Sequence, residues 1–252
     1  MRFKNKIKYV WKRTFEEITV AEYVSWWIVR ILLIISIILA SDKTYVILHS
    51  VNLPAAFAMS LLCFIFPKDS FFGRLNLRCQ HIINFFEVLG TFCGHILNAY
   101  AYIPKYDRLQ HIFSGFAGVI AGYYIYKAFI SKENRLKYVN PEAATFSATS
   151  FSFMIIALWE VQEFISDYLI GSQNQGYYYV PPENDIFFKI FGDGARRGEG
   201  QFPLWDTMLD MIDAAAATAV AGIVLYILLR IIKKKVLEKK ELSEQKKEKI
   251  TA

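Results

Sequence analysis

The chain has 252 residues, 54% of them hydrophobic and 21% charged, with a formal net charge of +6 and a mean hydropathy of +0.26. This is too apolar for an ordinary soluble domain, and the charges fall in blocks between long apolar runs. The sequence therefore predicts an all-α, polytopic membrane protein whose lysines sit beside anionic headgroups rather than on nucleic acid.

Six runs of about 20 residues are long enough to span a bilayer. The first, 24–40, follows a basic arm and ends in IILAS, like a signal peptide. The arm is long, Arg30 interrupts the run and Ile38 fits a cleavage position poorly, so it reads as an uncleaved span with Arg30 turned inward. The second, 45–66, is placed at the lipid-facing periphery. The third, 81–102, carries the polar stripe Asn84, Glu87, Thr91, His95 and Asn98. The fourth, 109–130, opens on Asp107 and His111 and contains Gly118-x-x-x-Gly122, a spacing that lets helices approach closely. The fifth, 146–169, carries Glu160, Glu163 and Asp167. The connection 171–205 is long and aromatic, and its DIFFKIF segment reads as a short helix in the membrane interface. The sixth, 208–232, is preceded by Trp205 and Asp206 and contains Asp210 and Asp213. Residues 1–232 thus form one six-helix domain, and 233–252 a basic, mixed-charge tail.

Lys and Arg set the orientation. Of 29 basic residues, 22 fall in the N-terminal arm, the second and fourth connections and the C-terminal end; six fall on the other side. Both termini then face the cytoplasm of a bacterial inner membrane, and 171–205 lies outside. With that topology, polar residues from four spans reach one layer, about 6 to 12 Å below the outer helix ends. Asp107 and His111 share a face at i,i+4, Glu160 and Glu163 at i,i+3, and Asp206, Asp210 and Asp213 follow one another on the last span.

One ionised carboxylate in a span costs about 2.5–3.5 kcal/mol, so such a layer needs protons, water or a cation. His with several carboxylates suits Zn, Mn or Fe. A structural polar cluster and a proton- or ion-handling pathway satisfy the same residues. Cys63, Cys79 and Cys93 have neither disulfide parity nor metal-ligand spacing. There is no G-x-S-x-G nucleophile motif, and GDGARRGEG matches neither phosphate-loop fingerprint.

The elements YDRLQHIFSGF, WEVQEF and FPLWDTMLDM, preceded by CGHILNAYAYIP, resemble the YjdF-like family of predicted bacterial inner-membrane proteins. The likeness covers roughly residues 20–232 and implies a fold and a residue set rather than a reaction. More distantly, the order D…H…E…D is similar to the VanZ-like family, which has Gln and Asn where this chain has Glu163 and Asp210.

The first functional reading is a metal-dependent hydrolase or transferase acting on a lipid or lipid-linked substrate. In it Asp107, His111, Glu163 and Asp210 hold the cation, with His95 and Asp213 completing the cluster. Glu160 and Asp206 are the catalytic carboxylates, and Arg196, Arg197 and Trp205 bind substrate. The rival readings are a proton- or ion-coupled transporter with Glu87 as its inner gate, and a non-catalytic membrane scaffold. Oligomeric state is left open.

Overall fold

A computed structural model describes residues 3–40, 57, 62, 64–67, 69–130, 139–170, 174–175 and 202–251. The described residues are helical and contain no strand. Helix α1 spans Phe3–Glu17, α2 Val20–Leu39, α3 Leu77–Val88, α4 Ala99–Tyr102, α5 Tyr106–Phe129, α6 Pro141–Ile170 and α7 Phe202–Thr251. Among the described residues, four helices are long and apolar enough to cross a membrane: Val20–Leu39, Tyr106–Phe129, Pro141–Leu169 and the Leu204–Gln245 part of α7. Most of the expected second span and of the 171–205 connection, including Arg196 and Arg197, lies outside the described residues.

The chain begins with a structured arm. Helix α1 is held down by Arg13, whose guanidinium bonds Glu17 at 2.9 Å and the Leu75 carbonyl at 3.2 Å. Thr19 and Glu22 then form a reciprocal capping box that starts α2. Glu22 also accepts two bonds from Arg78, at 2.6 and 3.1 Å, tying α2 to α3. Arg30 is 3% exposed and lies over the Trp26 ring at 3.2 Å, so its charge rests on an aromatic face.

The centre is a three-helix core in which α5 packs against both α6 and α7, with α3 on its further side. Its buried residues are small: Ala117, Gly118 and Ala121 of α5, Ala144, Ala148 and Ser152 of α6, and Ala214, Ala217 and Thr218 of α7. The expected Gly118/Gly122 contact is present. A Cβ on Gly118 would lie 2.5 Å from Ser152 Oγ, and one on Gly122 would lie 2.7 Å from the Ala148 carbonyl oxygen. Ser152 Oγ pairs with Thr218 Oγ1 at 2.8 Å and donates to the Gly115 carbonyl at 3.1 Å, so one hydroxyl joins all three helices. Large apolar side chains point the other way: Leu158, Val161, Ile223 and Ile227 are each at least half exposed, as a lipid-facing surface requires.

Two regions differ from the expectation. The third span is not one uniform helix. After Val88 it continues as a π-helix over Leu89–Ile96, passes through left-handed Asn98 (φ 56°) and ends in the single turn of α4. A π segment widens the turn and frees a carbonyl, and the Leu89 carbonyl accepts from Tyr106 Oη at 2.9 Å. At its end, Gly94 has no Cβ because the Tyr100 ring occupies that space. Helix α7 also runs unbroken from Phe202 to Thr251, through most of the mixed-charge tail, and takes Trp205 and Asp206 into its first turns.

Candidate functional site

Asp107 and His111 are one turn apart on α5, and the small-residue packing of α5 on α7 brings Asp210 to the same place. One ligand atom from each of the three lies within 4.8 Å of the other two. His111 Nε2 is 3.6 Å from Asp210 Oδ2 and 3.8 Å from Asp107 Oδ1. On the other edge of the ring, His111 Nδ1 is 3.8 Å from Glu160 Oε1 of α6. The imidazole therefore stands between two aspartates on one side and a glutamate on the other. His111, Glu160 and Asp210 are 5%, 5% and 2% exposed; Asp107 is partly open.

These distances exceed direct hydrogen bonds. They suit donors arranged around something between them, because a tetrahedral ion with bonds of about 2.1 Å places its donors ~3.4 Å apart. Both Glu160 carboxylate oxygens are buried without a hydrogen-bond partner among the described residues. Thr207, one turn before Asp210, lies beside Glu160; its hydroxyl accepts from Gln175 Nε2 at 2.9 Å and keeps its own proton to turn toward that carboxylate. Unsatisfied buried carboxylate oxygens are costly, and a bound cation or protons would relieve them.

The remaining expected residues divide. Glu163 lies within electrostatic reach of Asp107, Glu160 and Asp206. Its Oε1 accepts from Trp159 Nε1 at 2.7 Å, and its side chain lines a neighbouring cavity rather than joining the trio. Asp206 is part-buried within reach of Asp107 and Glu160. His95 packs against the Tyr100 ring, with centroids 5.0 Å apart, and lines the same cavity as Glu163. Asp213 is turned to Arg108, which donates to it at 2.5 and 2.7 Å. Asp213 is one turn past Asp210 and within electrostatic reach of His111, but both its carboxylate oxygens are engaged by Arg108. Trp205 is part-buried in the first turn of α7.

Three residues contribute more than their place in the sequence reveals. Gln110, beside His111, is 6% exposed and accepts from Tyr100 Oη at 2.6 Å. Asp167 accepts from the backbone N–H groups of Asn174 and Gln175, both at 2.9 Å, which folds the chain after α6 back over the site. Gln175 then reaches Thr207 and, at 3.5 Å, the Glu160 carbonyl. Two of these are neutral amides, which a survey of ionisable groups passes over.

No curated protein and no solved structure matches the chain. Residues 21–231 match the family described as "Predicted membrane protein (DUF2238)", and this stretch contains α2 through most of α7, with every residue of the site. The chain belongs to that family of predicted membrane proteins.

Proposed function

We propose that the protein is a membrane-embedded, metal-dependent enzyme, a hydrolase or transferase acting on a lipid or lipid-linked substrate. The observation that carries this reading is the convergence of Asp107, His111 and Asp210, with buried and unsatisfied Glu160 beside them. A divalent ion (Zn, Mn or Fe) held by the two aspartates and His111 Nε2 would lower the pKa of a bound water into the neutral range. Glu160 lies 3.8 Å from His111 Nδ1 and would have to close on it to act as the outer carboxylate that fixes a ligating imidazole's tautomer and orientation. With an ion bound, Asp206 and Glu163 would be the candidate carboxylates for taking a proton from that water. Arg196 and Arg197 retain a proposed role in orienting a phosphate, and Trp205 in bordering the substrate.

The charge bias of the connections supports six spans over 1–232, both termini in the cytoplasm of a bacterial inner membrane, and the site toward the outer leaflet. The likeness to YjdF-like proteins rests on the same residues and adds no reaction.

The test is elemental analysis of detergent-purified protein, comparing wild type with Asp210→Asn and His111→Ala. The expected result is about one equivalent of zinc, manganese or iron in the wild type and its loss from both variants while each remains folded. Wild-type protein that holds no divalent metal, even after incubation with each of these ions, overturns the reading.

A further inference from the structure

Beside the trio lies a recess bounded by α3, the π segment, α5, α6 and Asn174. About 60 Å³ inside it is open to water centres, room for roughly four to six waters. Its wall combines carboxylates (Glu87, Glu163), amides (Gln110, Gln162) and aromatic rings (Phe86, Trp159), and contains no Lys or Arg. Gln110 is the informative member. Its carbonyl oxygen is used by Tyr100, its side chain lines the recess, and its Nε2 is buried with no hydrogen-bond partner among the described residues. Such an amide calls for an acceptor from outside the protein.

We infer that this recess binds a neutral, hydroxyl-rich head group, a sugar or polyol, and presents it to the neighbouring cation site. Hydroxyls both donate and accept. They can therefore satisfy the Gln110 donor and the Glu87 and Glu163 acceptors together, while the C–H face of a ring packs on the aromatic wall. A phosphate-only head would meet two carboxylates faced by His95 alone, with no Lys or Arg in the wall among the described residues, and a quaternary ammonium head would leave Gln110 Nε2 unpaired. Gln110 and His111 are consecutive, and Glu163 is one turn from Glu160, so a head group in the recess reaches the border of the trio. The π segment makes the space. Gly90 contributes no side chain there, and a Cβ on it would lie 3.6 Å from Gln110 Nε2, in ordinary contact.

The inference rests on the proposed enzyme for its purpose, but its test does not need the metal. Full-length protein is offered dioctanoyl glucosyl-diacylglycerol, dioctanoyl phosphatidylcholine, dioctanoyl phosphatidylglycerol or free glucose, and retained ligand is counted by native mass spectrometry. Wild type should retain the glucosyl lipid at least tenfold better than either phospholipid. Gly90→Leu should lose that preference, with Gly90→Ala intermediate as a variant that fits without clash. Asp210→Asn, which disables the cation site, should keep it. Free glucose competing as well as the glucosyl lipid would place the source in solution with the same chemistry. Equal retention of all the lipids, preference for the choline head, or a preference untouched by Gly90→Leu overturns the inference. Loss of metal with the preference intact would overturn only the enzyme reading.

Discussion

Replacing Gly118 with alanine tests the packing that assembles the site. The new methyl would sit 2.5 Å from Ser152 Oγ, 3.0 Å from its Cβ and 3.1 Å from its Cα. The last two are backbone-proximal atoms that no rotamer change removes, so α5 and α6 must part by several tenths of an ångström. Overpacking of this kind costs about 1–3 kcal/mol. Displacing the Ser152 hydroxyl weakens its contacts with Thr218 and Gly115, each contributing about 1 kcal/mol. Alanine's better helix propensity returns up to about 1 kcal/mol, leaving a net loss of about 1–3 kcal/mol. Ser152→Ala alone should cost about 1 kcal/mol. In the double variant the nearest clash is gone, so its loss should fall short of the sum by about 1 kcal/mol. Unfolding in mixed micelles with rising denaturing detergent, followed by helical circular dichroism, reads all three. A neutral Gly118→Ala, or strict additivity, would refute the close-approach account. His111 lies seven residues from Gly118, about 10 Å along the helix, so the same variant should also weaken metal retention.

Asp213→Asn should lower unfolding free energy by about 1–3 kcal/mol, because it leaves a part-buried Arg108 without its bidentate carboxylate, yet leave metal content unchanged; elemental analysis of the folded variant separates this ion pair from the cation site. Metal retention should fall as pH is lowered, since protons compete for His111 and the two aspartates, and should recover on return to neutral pH; dialysis against a weak chelator across a pH series measures it, and pH-independent retention would argue against imidazole and carboxylate ligands. Glu22→Gln should cost up to about 1 kcal/mol through loss of the charged Arg78 pair, since glutamine still closes the capping box, visible as a lower melting temperature with metal unchanged. Gly94→Ala should destabilise strongly, because its methyl would occupy the Tyr100 ring; limited proteolysis near Asn98 reports the loosened turn.

The apolar runs over α2, α5, α6 and α7 were legible because length and composition alone decide whether a helix can span. Asp107 and His111 were legible as a pair from their spacing. Asp210 could be added only after the charge bias had ordered the spans, since no local pattern links residues 107 and 210. The same reasoning placed Asp213 in the cluster; depth does bring it within reach of His111, and its bonds to Arg108 are a feature that depth alone does not reveal. The third span's break was not visible in hydrophobic periodicity, because a π segment changes the ring size of the backbone bonds without changing the apolar content. A local signal was present in Gly90, Gly94 and Asn98, spaced by four, where small or left-handed-tolerant residues recur on one helix. Gln110 was hidden by its neighbour: beside a histidine, an uncharged amide attracts no notice, although its Nε2 is one of the buried donors without a partner among the described residues.

X-ray absorption at the edge of the metal that co-purifies with the wild-type protein tests the central claim most directly. The account predicts a shell of light donors at about 2.0–2.2 Å with the outer scattering of one imidazole and no sulfur, and loss of the imidazole signature in His111→Ala. A sulfur ligand, a shell without imidazole, or protein that takes up no metal would contradict it.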